Sequence, residues 1–138
     1  MDRITKEKRS WNMSRIRSKN TGPERLVRSC LRRLGIRFSS YGKSITGNPD
    51  IILQGRKIAL FVHGCFWHRH NHCPYAYVPK SRVSFWRRKF QRNIARDRFV
   101  RARLLKEGWT VAVVWECQTR DRDSLENRLR TLLMARRR

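Results

Sequence analysis

A chain of 138 residues, with 34 Lys and Arg against 10 Asp and Glu and hence a formal charge of +24, is long enough for one domain with its own core and too short for two. No segment holds the roughly 18 apolar residues of a membrane span, and the start, MDRITKEKRSW, lacks the apolar stretch of a secretory signal. We therefore expect a soluble intracellular protein. Its many arginines indicate a polyanion as the partner, although the charge alone would equally fit a ribosome-type structural protein.

The N-terminal third predicts a basic arm followed by a helix. Residues 1–20 are polar and basic, so we expect them to form an arm that becomes ordered on its partner, and residues 21–138 to form a single domain. The segment NTGPERLVRSCLRRLG predicts a helix that begins near Thr21, carries Pro23 in its first turn and ends at Gly35. Its expected buried residues are Leu26, Val27, Cys30, Leu31 and Leu34.

The remaining elements predict a sheet with helices on its faces. Two apolar runs, at residues 51–53 and 58–62, flank a segment with Gly55 and predict a buried β-hairpin. A long helix is predicted for residues 84–107, then a buried strand in TVAVVWEC, then a helix opened by a capping box of Asp123 and Glu126. Because strands and helices are mixed along the chain, we expect an α/β fold.

All four histidines lie in the stretch FVHGCFWHRHNHCP, which also holds two of the four cysteines. The spacing of Cys65, His70 and Cys73, together with Cys117 at the end of a predicted strand, predicts a structural zinc site closed by four protein ligands. His72 competes with His70 for the histidine position. The alternative is a buried pair of thiols beside exposed histidines.

Several side chains that could cut a phosphodiester surround this stretch. Asp50 begins the first predicted strand, and the second strand leads directly into His63. Because Mg²⁺ often takes only one or two protein carboxylates, Asp50 could hold it, although a turn-capping role is the simpler alternative. His63, His68 and Glu24 could supply an acid and a base around the same phosphate, whereas each taken singly could be a residue without a chemical role.

Six separated motifs give the chain a resemblance to one family. RSKNTGPE, GNPDIIL, FVHGCFWHRH, PKSR, FWRRKFQRNIARDR and GWTVAVVWEC occur in the order found in the very short patch repair endonucleases, the Vsr family, over about residues 10–117. The resemblance implies a restriction-endonuclease-like mixed sheet flanked by helices, with a structural zinc site. It also implies a cytoplasmic prokaryotic protein, acting as a monomer at the nucleoid, that nicks one strand of double-stranded DNA beside T:G mismatches left by deamination of 5-methylcytosine.

The resemblance also implies roles for individual residues. Asp50 and the backbone carbonyl of Val62 would bind Mg²⁺, His68 would activate the attacking water, and His63 and Glu24 would assist. The implied zinc ligands are Cys65, His70, Cys73 and Cys117. Related restriction enzymes carry an acidic residue and a lysine on the second strand; LFVHG has neither, so we expect the variant that uses a carbonyl and histidines.

Aromatic residues near the predicted site suggest how DNA is read. Phe66 and Trp67 follow the first zinc ligand, and Trp86 begins the long helix. Rigid aromatics can intercalate, and a mismatched step is easier to open than a paired one, so we expect at least one of Phe66 and Trp67 to be exposed. The alternative is that both belong to the core. Asp97, further along the helix, is expected to pair with an arginine. The resemblance places mismatch contacts at Lys89, Asn93 and Met13.

Two rival functions stay open at this point. A restriction-type, sequence-specific duplex endonuclease would cut perfectly paired sites. A non-catalytic, zinc-containing nucleic-acid-binding protein would bind DNA fully and show no hydrolysis with Mg²⁺.

Overall fold

The computed structural model describes residues 21–42 and 44–134, so the predicted arm and Met13 lie outside the described residues. Four strands form one sheet in the spatial order β1-β2-β3-β4: β1 Ser39–Ser40, β2 Ile51–Leu53, β3 Ile58–His63 and β4 Thr110–Trp115. The first two pairings are antiparallel and the last is parallel. The helices are α1 Gly22–Arg33, α2 Val83–Lys106 and α3 Arg122–Met134. The predicted hairpin and the mixed α/β fold are confirmed.

Helices cover both faces of this sheet. On one face, Leu53, Leu60 and Val114 pack with Val27 of α1 and Leu129 of α3. On the other face, apolar residues of the sheet pack against α2; this second cluster contains Ile52, Ala59, Val111 and Leu104. A strand that is buried on both faces has a continuous run of apolar residues. This explains why β2 and β3 show no alternation of apolar and polar residues. Within the described residues, no helix is both long and apolar enough to cross a membrane.

Helix α1 follows its sequence signals with one exception. Thr21 Oγ1 accepts a hydrogen bond from the Glu24 amide at 3.3 Å, which caps the first turn. Gly35 has a φ of 72°, in the left-handed region, directly after the helix ends. Leu26 was expected to be buried, and this is wrong: it is 50% exposed, because the face at Val27 and Leu31 turns toward the sheet.

The predicted capping box of α3 is also wrong. Asp121, the residue before the helix, accepts a hydrogen bond from the Ser124 amide through Oδ2 at 2.9 Å. Glu126 pairs instead with Arg130 at 2.9 Å, one turn further along. The carbonyl of Asp121 also accepts from the Leu125 amide, so the first turn is built on Asp121 rather than on Asp123.

Candidate active site and metal cluster

A cavity of about 1320 Å³ opens where β3 ends, and its wall collects the candidate catalytic residues. The residue before β2, the end of β3 and the segment that follows it form one side, and the start of α1 and the middle of α2 form the others. The candidate side chains that line it are Glu24, Asp50, His63, His68, Asn93, Phe66 and Trp67. Candidate residues as far apart in sequence as Glu24 and Asn93 therefore share one cavity.

Asp50 is fixed across the hairpin rather than within its own turn. Its Oδ2 accepts a hydrogen bond from the backbone amide of Val62 at 2.7 Å, which does not fit the simple turn-capping alternative. Burial raises the pKa of Asp50 to about 6, the Val62 amide opposes this rise, and the charge of nearby Glu24 adds to it. A cation beside Asp50 would offset the burial and favour the ionised carboxylate.

His63 and His68 form a stacked pair. Their ring centroids are 3.8 Å apart and their planes differ by 6°. Burial lowers the pKa of His63 to about 3; His68 lowers it further and Asp97 opposes the shift. His63 is therefore neutral near pH 7, and its ring supports the face of His68.

His68 is oriented by Asp97, a residue of α2. The His68 Nδ1 and Asp97 Oδ2 atoms are 2.7 Å apart, and both side chains are about 30% exposed. In the neutral imidazole tautomer that donates from Nδ1 to this carboxylate, Nε2 keeps its lone pair. The expected pairing of Asp97 with an arginine is wrong, because the helix turns this carboxylate toward the cavity.

Glu24 lies in the same wall and is held by its neighbours. One carboxylate oxygen is 3.6 Å from Arg28 Nη1, one turn along α1. The Tyr41 hydroxyl donates to the same oxygen at 3.5 Å. The side chain is buried, and its charge contributes to the raised pKa of Asp50. Glu24 therefore adds negative charge close to Asp50.

The second cluster consists of Cys65, His70, Cys73 and Cys117, whose ligand atoms all lie within 4.8 Å of one another. His70 Nδ1 is 3.6 Å from Cys65 Sγ and 3.4 Å from Cys117 Sγ. A tetrahedral zinc ion with Zn–S bonds of about 2.3 Å separates its sulfur ligands by about 3.8 Å, so the spacing and the donor set fit zinc.

The cluster also distinguishes between the two candidate histidines. His70 turns Nδ1 toward the sulfurs, and its ring stacks on Trp115 with centroids 4.1 Å apart. His72, by contrast, is exposed. Burial raises the pKa of Cys65 to about 12, so in the absence of a cation the thiol stays protonated. A bound zinc ion would stabilise the thiolate.

Comparisons with known proteins identify the family to which this chain is related. A family described as DNA mismatch endonuclease Vsr matches residues 1–74. The chain is 48% identical over 132 residues to the type II nicking enzyme V.XorIIP of Xanthomonas oryzae pv. oryzae, covering 96% of each protein. It is 40% identical over 120 residues to the DNA mismatch endonuclease Vsr of Escherichia coli, covering 87% of this chain and 76% of that protein. The chain belongs to the Vsr family. It is therefore a DNA endonuclease.

In this Vsr chain the aromatic candidates form a cluster between α2 and residues 64–78, a segment that carries three of the four candidate zinc ligands and is called the zinc loop below. Trp67 and Trp86 are each 7% exposed, whereas Phe66 is half-buried and keeps part of its surface in the cavity. The Phe66 ring lies 5.2 Å from that of Trp67 and 5.5 Å from that of Trp86. Of the two expected wedge residues, Phe66 is thus partly accessible and Trp67 is mostly core.

Two polar residues of α2 hold the zinc loop of this Vsr chain. Asn93 Nδ2 donates to the backbone carbonyl of Trp67 at 3.1 Å, and Asp97 holds His68 one turn further along. Sequence reasoning did not assign Asp97 to the active site. The signal was present, because Asn93 and Asp97 interrupt the apolar stripe of α2 at the spacing of one helical turn. Lys89 lies on the same side of the helix, with Nζ 5.5 Å from the Trp67 ring centroid.

Proposed function

We propose that this chain is a zinc-stabilised, Mg²⁺-dependent endonuclease that acts as a monomer and nicks one strand of double-stranded DNA beside a T:G mismatch. The observation that carries the proposal is the convergence of the Asp50 carboxylate and the His68–Asp97 pair in one cavity of a Vsr-family chain. A general base and a carboxylate that can hold a metal ion, brought together in one cavity, are groups that metal-assisted phosphodiester hydrolysis uses.

His68 is the proposed general base. With Nδ1 donating to Asp97, its Nε2 can take a proton from a water molecule as the water oxygen bonds to the scissile phosphorus. The bond from phosphorus to one bridging sugar oxygen breaks in the same step, and that oxygen takes a proton from solvent as it leaves. The Asp97 carboxylate then stabilises the imidazolium that forms and keeps the ring from rotating. His63, neutral and stacked 3.8 Å from His68, restricts the ring on its other side. His63 therefore assists without taking the proton itself, because burial lowers its pKa to about 3.

Asp50 and the backbone carbonyl of Val62 are the proposed Mg²⁺ ligands. Asp50 Oδ2 accepts from the Val62 amide, so the carboxylate is positioned before any metal arrives. When bound, Mg²⁺ supplies positive charge that stabilises the negative charge developing on the phosphate. The raised pKa of Asp50 supports this role, because a buried carboxylate close to Glu24 is a favourable neighbour for a cation.

Recognition of the mismatch is proposed to fall to the cavity rim and the arm. Phe66 offers a partly accessible ring that can enter a weakly stacked T:G step, and Lys89 can reach the DNA from α2. Asn93 is already bonded to the Trp67 carbonyl, so its first role is to position the aromatic cluster. Met13 belongs to the arm. The charge of +24 supports phosphate contacts along the flanking duplex.

The test is incubation with Mg²⁺ of duplexes that carry each mismatch, or none, in randomised flanks, followed by sequencing of the cut ends. We expect a nick in one strand next to T:G, with one chain bound per duplex, and little cutting of the C:G duplex with the same flanks. Cutting of both strands at paired sites would replace this proposal with a restriction-type function. Tight binding without hydrolysis would indicate a non-catalytic DNA-binding protein.

A further inference from the structure

Arg69 joins two separate parts of the zinc loop. Its Nη1 donates to the carbonyls of Phe66 at 3.2 Å and Tyr77 at 3.0 Å, and its Nη2 donates to the carbonyl of Ala76 at 2.7 Å. The guanidinium also lies over the ring of Phe90 in α2, with Cζ 3.9 Å from the centroid. A planar fork with several fixed donors can hold three carbonyls at once, which the ammonium group of a lysine cannot match. Arg69 therefore fixes the far end of the loop against the aromatic cluster.

Tyr77 is the side chain that this arrangement presents. It is 59% exposed, although its own carbonyl is held by Arg69. Its ring packs on Phe66 with centroids 5.1 Å apart and planes inclined by 47°. Tyr77 also lines the cavity that contains His68 and Asn93. An aromatic ring that packs on Phe66 thus lies at the rim of the active-site cavity with more than half of its surface open.

Tyr75, on the same loop, makes a useful contrast. It is 44% exposed, but its ring faces the guanidinium of Arg120, with Cζ 4.3 Å from the centroid. It does not contribute to the lining of the active-site cavity. Both loop tyrosines are therefore exposed, but of the two only Tyr77 packs on Phe66 and lines the cavity.

We propose that Tyr77 is a DNA-stacking residue of this site, whose ring extends the Phe66 surface and stacks on the base unstacked next to the mismatch, and that Arg69 is the residue that positions it. The inference rests on the proposed mismatch function and adds a contact to it. Aromatic rings have a π face that any base can stack on, and a ring that is already fixed loses little freedom on binding. Tyr77 thereby favours DNA in which a base is easily unstacked over fully paired DNA.

The experiment compares Tyr77→Ala, Tyr77→Phe and Arg69→Lys with the control Tyr75→Ala. Each is bound, without Mg²⁺, to T:G and C:G duplexes that carry 2-aminopurine beside the variable pair, whose fluorescence reports unstacking. Tyr77→Ala should weaken T:G binding by about 5- to 100-fold and reduce the fluorescence change. Tyr77→Phe should behave as the wild type, because it keeps the ring. Arg69→Lys keeps the charge but loses the fork, so it should reproduce part of the Tyr77→Ala effect.

Zinc content and thermal unfolding of every variant separate a lost contact from a lost fold. The inference is overturned if folded, zinc-loaded Tyr77→Ala binds T:G as tightly as the wild type, or if Tyr75→Ala weakens binding as much as Tyr77→Ala. If Arg69→Lys does not fold, the tyrosine variants still decide the matter. Failure of the proposed function looks different: the wild type itself would then neither distinguish T:G from C:G nor nick either duplex with Mg²⁺.

Discussion

Two clusters share the zinc loop but differ in what surrounds them. His70 faces three sulfurs, and its four-member set leaves no position for water once a tetrahedral ion is bound. His68, two residues earlier, faces one carboxylate, and the cavity gives it access to solvent and substrate. Arg69 between them has a φ of 54°, a left-handed conformation that turns the chain sharply between the two histidines. Chemically identical side chains thus have different surroundings: one lies among sulfurs that could hold a metal ion, and the other is open to the cavity.

The difference predicts how the clusters depend on each other. A zinc ion held by the four-residue cluster would tie Cys65 and Cys73 of the loop to Cys117 beyond β4 and would thereby determine where the loop lies on the sheet. The candidate catalytic residue His68 lies on the same loop, so its position depends on where the loop lies, and Asp97 of α2 orients it. Substitution of a zinc ligand should therefore abolish both zinc binding and nicking, whereas substitution of a candidate catalytic residue should abolish nicking and leave zinc binding unchanged.

Loss of a zinc ligand should have the largest effect. We expect one zinc ion per purified chain, and Cys73→Ser should lose it together with nicking and several kcal/mol of folding stability, because structural zinc contributes about 10 kcal/mol or more of binding free energy in small domains. Metal analysis and thermal unfolding measure both. Cys30→Ala is the matched control: Cys30 is a buried cysteine outside the cluster, so this variant should keep its zinc. A metal-free but fully folded wild type would disprove the assignment.

Removal of the Asp50 carboxylate should have the next largest effect and leave zinc in place. Asp50→Ala should lower nicking by roughly 10³-fold, because metal stabilisation of the phosphate is worth several kcal/mol. DNA binding should be unchanged or tighter, since a negative charge facing phosphate is lost. Single-turnover nicking and DNA affinity should be measured together, with Asp50→Asn as the isosteric partner. Normal turnover in either variant would show that Asp50 is not a ligand.

Sequence alone predicted the parts of the molecule whose signals are local. The zinc set could be proposed because cysteine and histidine are rare and their spacing is short, and the hairpin because two apolar runs flank Gly55. Asp97 was misjudged because its partner, His68, lies 29 positions away, and in a chain with 34 Lys and Arg an arginine is the default partner of any carboxylate. The burial of Trp67 depends equally on α2, which no local pattern reveals.

The His68–Asp97 pair allows a graded test of the catalytic cluster. His68→Ala should reduce nicking by about 10²- to 10⁴-fold, the usual contribution of a general base. Asp97→Asn should cost no more than His68→Ala but up to about 10⁴-fold, because an amide in place of the carboxylate can hold the imidazole in the wrong tautomer. Because both act through one imidazole, the double variant should be no worse than His68→Ala. Additive losses, measured as single-turnover rates at unchanged zinc content, would mean that Asp97 acts independently of His68.

The smallest expected effect separates the half-buried ring of Phe66 from the largely buried ring of Trp67. Phe66→Ala should lower the ratio of T:G to C:G nicking rates by about 5- to 100-fold, the value of one lost aromatic–base stack. Trp67→Ala should act mainly on the fold, at about 3 to 5 kcal/mol of unfolding free energy, because its ring is 7% exposed and packs on Trp86. Phe66 would then correspond to His68, which is open to substrate, and Trp67 would correspond to His70, which supports the loop. If Trp67→Ala folds normally and the T:G preference disappears in that variant alone, then Trp67 must leave the core on binding, and the zinc loop is less rigid than its metal cluster implies.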